Sequence, residues 1–296
     1  MAICRRCCSR RVLRGRIGFR TAMPFNPTRR NRNIGTAKQG HGRDNRLVIP
    51  QPADAVRTWK EQLGPHRHVS VDVSGKPVDF FIEDNTGGCV HACSVEDVAT
   101  MLSHVPESDW AGLSIVVLRQ PTRKQRVLAP AWGRLIYFAE LGRAGSTPIT
   151  TGPAVLLEAV NPDAKLEWST SLQPDMVAEL ERLRSDGHLI ERVGHRHDFS
   201  MTRESVRATQ LYRTLLHEIG HWTDWLEKVE TPCARGGDFS ALSDAYFTRA
   251  QGEREAYAHR YADSLRVRLE REGAIPFAQS VAAKDKLIEQ VNVHNR

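Results

Sequence analysis

Five consecutive residues, His217-Glu218-Ile219-Gly220-His221, carry the pattern in this chain best suited to chemistry. Residues four apart on a helix project about 40° from one another, one turn along, so both imidazoles reach a single ion. Glu218 stands beside His217 but points off that axis, which suits a carboxylate that touches a water on the metal and not the metal itself. Two histidines leave positions for a third protein ligand and a water, the open geometry of catalytic zinc. Zinc lowers the pKa of such a water from about 15.7 towards about 7, and Glu218 then acts as general base, later passing the proton to a leaving amine. The expectation is one zinc ion per chain and a metal-assisted hydrolysis.

The pattern must lie mid-helix to work, and the surrounding residues predict such a helix from about Thr202 to Lys228, ending before Pro232. Tyr212, Leu215, Leu216, Ile219, Trp222 and Leu226 recur at three- and four-residue steps, which sets the histidines against a core. Gly220 costs about 1 kcal/mol relative to Ala in a helix interior, so another backbone or a ligand is expected close to it. The third ligand should come from the next helix, about Gly252 to Arg271, where Glu253, Glu255 and His259 are candidates. Glu255 shares a face with Ala258, Ala262, Leu265 and Leu269, whereas Glu253 shares one with Tyr257, Arg260 and Ser264. A buried carboxylate needs a partner, and a metal provides one, which favours Glu255. His259 stands one turn beyond, placed either to orient Glu255 and assist the transition state or to lie exposed.

Upstream of these helices the chain reads as a small sheet. Val69–Val73 and Pro77–Glu83 around Ser74-Gly75-Lys76 predict a hairpin. Ser94 with Asp97 predicts a capped helix to about His104. Leu113–Leu118, Gln125–Leu128, Arg134–Phe138 and Ala154–Val160 predict a sheet of three or four strands, with Pro and Gly between them. Residues 174–185 predict a helix with Pro174 in its first turn. His66, His68, His188, His195 and His197 fall in expected loops, with His195-Arg196-His197 a candidate for the cleft rim. The fold class expected is α+β, one domain over 48–296.

A helix bearing His217, Glu218 and His221, preceded by a small sheet and followed by a Glu-bearing helix, resembles the zincin metallopeptidases of the gluzincin branch. Glu253-Arg254-Glu255-Ala256 with Tyr261-Ala262 is similar to the glutamate helix of the small regulatory peptidases of mobile elements. His221-Trp222-Thr223 is similar to the zincin-like domain of plasmid antirestriction proteins. The resemblance implies a zincin-like fold, with a small mixed sheet packed on the active-site helix. It also implies peptide-bond hydrolysis in a protein or peptide substrate, and Glu255, the Glu before Ala, as the third zinc ligand. It further implies that an edge strand lining the cleft receives the substrate, for which Gly152–Glu158 is the candidate. The alternative it leaves open is a zinc-containing antirestriction-like or DNA-associated protein without peptidase activity.

Charge is unevenly placed. The 296 residues carry a net charge of +7, yet residues 1–47 hold 13 Lys/Arg against Asp44 alone, leaving 29 basic and 34 acidic residues beyond, a net of −5. The basic segment reads as a disordered tail and a handle for nucleic acid. An organelle leader, or a start at Met23, accounts for the same residues. No apolar run approaches the roughly 18 residues of a membrane span. Cys4, Cys7 and Cys8 lack a second ligand pair at finger-like spacing. Cys89 and Cys93, flanking His91, read as small buried thiols. Without a disulfide framework, a reducing cytoplasm is expected. On the handle reading, a chain beginning at Leu47 loses salt-sensitive DNA binding and keeps its fold and metal. Equal binding in a filter assay with and without residues 1–46 refutes it.

Overall fold

The computed structural model describes residues 59–128, 131–142 and 147–279. The basic segment 1–47, with the proposed nucleic-acid handle, and the first residues of the domain expected from 48 lie outside the described residues. No helix among the described residues is long and apolar enough to cross a membrane.

The hairpin forms where alternation predicts it. Strand β2 (His66–Val73) pairs antiparallel with β3 (Lys76–Glu83), and Val73 stands opposite Lys76. Ser74 and Gly75 take φ of 54° and 82°, the left-handed pair that matches the twist of the flanking strands. Helix α1 (Val95–His104) opens on the expected capping box. Ser94 Oγ accepts the Asp97 N–H at 3.1 Å, and Asp97 Oδ2 accepts the Ser94 N–H at 3.0 Å.

Strands β4 (Ile115–Arg119), β5 (Gly133–Gly142) and β6 (Thr150–Glu158) join the hairpin and β1 (Trp59–Gln62) in one mixed sheet, ordered β1-β5-β6-β4-β3-β2. It exceeds the expected three or four strands because the hairpin docks through β3 and β1 adds beside β5. Gln125–Leu128 is not a strand; it ends helix α2 (Arg123–Leu128). Thr122 and Gln125 cap that helix reciprocally, at 2.8 and 3.2 Å, and this box outweighs a short apolar run. Strand β6 lies inside the sheet, so it is not the edge expected of Gly152–Glu158. Its Pro153 falls where the register with β5 shifts between Ile136 and Ala139, so its missing N–H breaks no ladder bond there.

Alternation along the strands divides two cores. Phe80, Val116, Leu118 and Val155 face the helices and pack with Met101, Leu211, Leu215 and Ile219. Phe81, Val117, Ala154 and Leu156 make a smaller cluster on the opposite face. A second sheet, β7 (Leu166–Ser169), β8 (Leu189–Val193) and β9 (Arg196–Ser200), was not expected. Its strands are mostly exposed and carry charges such as Arg196 paired with Glu167 and Asp198, so they show little apolar alternation. His66, His68 and His197 accordingly lie on strands and not in loops.

Helix α3 (Pro174–Ser185) precedes a long helical run built from α4 (Arg203–Thr209), a π-helical turn at Gln210–Leu215, α5 (Leu216–Trp225), a second at Leu226–Glu230, and α6 (Thr231–Ala234). Pro232 does not stop this run. The Thr231 N–H reaches back five residues to Leu226 O, and the widened turn accommodates a ring without an N–H. Helix α7 (Phe239–Thr248), capped by Asp238, and α8 (Gln251–Arg271) complete a mixed α+β architecture.

Gly220 explains how α8 approaches α5. A Cβ there would lie 3.0 Å from both Cα and O of Ala258 and 3.1 Å from Cβ of Tyr261. The close backbone expected from the sequence is therefore α8 itself. Gly220→Ala should force these helices apart, destabilising the protein by about 1–3 kcal/mol in urea unfolding. Unchanged stability would show that α8 has room to give.

Candidate metal centre

Helix α5 is held in one rotational setting by its buried side. Leu216, Ile219 and Trp225 are fully buried, the Trp222 indole donates to Ala111 O at 3.0 Å, and the Thr223 hydroxyl donates to Asp109 O at 3.1 Å. The opposite side then presents His217 and His221, whose Nε2 atoms lie 3.1 Å apart. Glu255 comes from α8, and its Oε2 stands 3.2 Å from His217 Nε2 and 3.5 Å from His221 Nε2. Ligand bonds of about 2.0–2.2 Å meeting at tetrahedral angles set donor atoms about 3.3–3.6 Å apart. The three donors thus fit one face of a tetrahedral site, and His217, His221 and Glu255 can hold a metal ion.

The face reading of α8 holds. Ala258, Ala262, Leu265 and Leu269 are buried, and Glu255 follows their side of the helix. Glu253 points elsewhere, largely exposed, with Arg249 Nε at 3.6 Å. His259 is not a donor to the group; its ring packs on His217 with centroids 4.4 Å apart. Burial pushes His259 down to about 4, and the adjoining His217 adds to this, so it packs as a neutral ring. Hydrogen bonds from His217, then His221, hold the Glu255 carboxyl far below the ordinary carboxylate range.

Glu218 is buried beside the group without joining it. Its Oε2 accepts the backbone N–H of Leu135 on β5 at 2.7 Å. Burial pushes its pKa up, against the pull of the two histidines. Strand β5 is the cleft-side strand, which corrects the assignment of Gly152–Glu158. Its residues 139–142 pair with β1, whereas among the described residues 133–136 pair on the β6 side alone and 137–138 fall in the register shift. The Glu158 N–H bonds Trp132 O, so polar groups at alternate residues face β6 and those of Leu135 face the cleft.

The cleft has a volume of about 310 Å³ and is lined by Arg134, Leu135, Tyr137, Gln251 and Arg254 with the metal group and Glu218. Arg134 and Tyr137 carry no local signal of a site and reach it through tertiary pairing. Arg254 stands next to Glu255 and could have been found from that position. The Tyr137 and Tyr246 hydroxyls bond each other at 2.9 Å; burial raises both, Tyr246 to about 12, so both stay protonated. None of His66, His68, His188, His195 and His197 lines this cleft. His188 is buried between the Thr209 and Ser205 hydroxyls, at 2.9 and 3.2 Å.

Glu255→Ala should lower metal affinity by at least tenfold in competition with a chelator, while Glu253→Ala leaves it unchanged. The reverse result would mean that α8 faces α5 about half a turn away. No protein-family model, curated protein or solved structure matches the chain, so the functional reading rests on this geometry.

Proposed function

We propose that the chain is a zinc metallopeptidase of zincin-like arrangement, with one zinc held by His217, His221 and Glu255 and with Glu218 as general base. The observation that carries the reading is the triangle of donors at 3.1, 3.2 and 3.5 Å with an ionisable carboxylate beside it that is not a ligand. Two imidazoles and one carboxylate form a donor set typical of catalytic zinc, which keeps a fourth position open. Bound there, zinc would supply Lewis acidity, lowering the pKa of water towards about 7 and polarising a carbonyl.

The chain's own groups supply the rest. Glu218 takes a proton from the attacking water and delivers it to the departing amine, and a raised pKa favours that return. The Leu135 N–H holds one Glu218 oxygen at 2.7 Å, which leaves the other free to receive the proton. Apart from the Leu135 N–H that Glu218 takes, the cleft-facing edge of β5 before residue 139 pairs with no strand among the described residues and offers an extended peptide a strand to add to, in place of the expected Gly152–Glu158. Cys89 and Cys93 are buried free thiols, which fits a reducing cytoplasm.

Glu218 separates this reading from a zinc-containing binding protein, because a site that only holds structure has no use for it. Glu218→Gln should keep stoichiometric zinc by elemental analysis, while hydrolysis of a mixed peptide pool falls by about 10²–10⁴-fold. Cleavage at the wild-type rate by the zinc-loaded variant would remove Glu218 as base. Absence of zinc from wild-type protein would remove the metallopeptidase reading itself.

A further inference from the structure

Several arginines packed into the described residues are neutralised by carboxylates. Arg119 is 3.2 Å from Glu61 and 2.8 Å from Glu83, Arg213 meets Asp186 at 2.8 Å, and Arg249 meets Asp224 at 2.7 Å. In the cleft, Arg134 is paired with Glu158 at 2.7 Å. Arg254 differs. It lines the same cleft, beside Glu218 and the metal group, yet among the described residues no carboxylate pairs with it. Its guanidinium carbon lies 5.8 Å from the ring centres of both Tyr246 and Phe247, within the range of cation–π attraction.

A guanidinium has five donors in a rigid fork, and desolvating one without an acceptor is costly. A fork held beside two aromatic rings, with no carboxylate partner, at the wall of a substrate cleft is organised to receive a planar anion bidentately. We propose that Arg254 is a specificity residue that binds a carboxylate of the substrate. The proposal rests on the peptidase reading for the identity of the anion, since carboxylates are the anionic groups an unmodified peptide carries. The carboxylate comes from an Asp or Glu side chain near the scissile bond, or from a free C-terminus. The aromatic support limits the motion of the fork, so little ordering is left for binding to impose. Arg254 would thereby discriminate among substrates, while Glu218 and the metal group carry the chemistry.

The test uses equilibrium binding, so it does not depend on turnover. Glutarate and butyrate are titrated calorimetrically into the full chain at fixed ionic strength, with and without one equivalent of zinc. Wild-type protein should bind glutarate about tenfold or more tightly than butyrate in at least one of these states. Arg254→Met, which keeps an unbranched aliphatic side chain and removes the charge, should bring the ratio near one without changing zinc affinity or thermal midpoint. Arg254→Lys should restore part of it. A ratio independent of Arg254 in both states, or tighter Arg254-dependent binding of inorganic phosphate than of glutarate, overturns the proposal. Two hexapeptides, one amidated with an internal Glu and one neutral with a free C-terminus, are then bound to the zinc-loaded Glu218→Gln protein. The peptide whose affinity falls about tenfold on adding Arg254→Met identifies the source of the carboxylate, and loss with neither overturns the assignment. Failure of the peptidase reading is read separately, from the zinc content and the peptide-pool digestion.

Discussion

The contact on which the site depends is between two backbones. Glu255 reaches the imidazoles on α5 because Ala258, one turn further along α8, lies against a glycine. Helices that meet through larger side chains lie about 8–10 Å apart, and a carboxylate has few bonds with which to span a wider gap. Gly220 lowers helix stability locally, and the close packing of α8 on α5 that it permits offsets this. The same glycine lies within the His-Glu-x-x-His pattern, so the histidines that could hold a metal and the residue that lets the third candidate donor arrive are close in sequence.

A set of buried ions fixes the same helices from the other side. Asp186, fully buried at the end of α3, accepts from Arg213 on the long helix at 2.8 Å, from the Thr209 hydroxyl at 2.9 Å, and from Arg266 on α8 at 2.8 Å. One carboxylate therefore ties three helices, and removing the Asp186 carboxylate would unfasten all three contacts at once. Arg207 does the same towards α1, where its fork meets Asp97 at 2.6 and 3.1 Å. Such pairs add little net stability over apolar packing, but their geometry permits few alternative settings. The donor triangle is thus held by one steric contact and by charges that must stay paired.

The parts of this structure that are local in sequence were readable there, and the parts made by distant pairing were not. The capping box at Ser94, the hairpin at Ser74-Gly75, and the separation of Glu255 from Glu253 all depend on spacings of a few residues, and each is found. Gln125–Leu128 was misread because a cap and a short apolar run compete in the same window, and the cap carries the hydrogen bonds. Gly152–Glu158 was misplaced for another reason: Pro153 suggests an edge, but a register shift in the neighbouring strand absorbs it. The β7–β9–β8 sheet has no periodic signal because most of its residues face solvent. In the cleft, Tyr137 and Arg134 belong to β5, some 80 residues before the histidines, and nothing in their neighbourhood announces the site.

The π-helical turn at Gln210–Leu215 ends two residues before the first histidine. A wide turn of this kind accommodates about one more residue than an α-helical turn, and one residue corresponds to about 100° of rotation. The long helix is therefore two helical segments joined out of phase, the upstream one held by α1 through Arg207 and the downstream one aimed at the cleft. All six residues of the turn are buried, so its packing is fixed from outside as well as by its own bonds. The direction of His217 and His221 is consequently a matter of counting as much as of composition. Gaining or losing a single residue upstream, even a well-tolerated apolar one, would turn both imidazoles away together and disable the pair while leaving every ligand in the sequence.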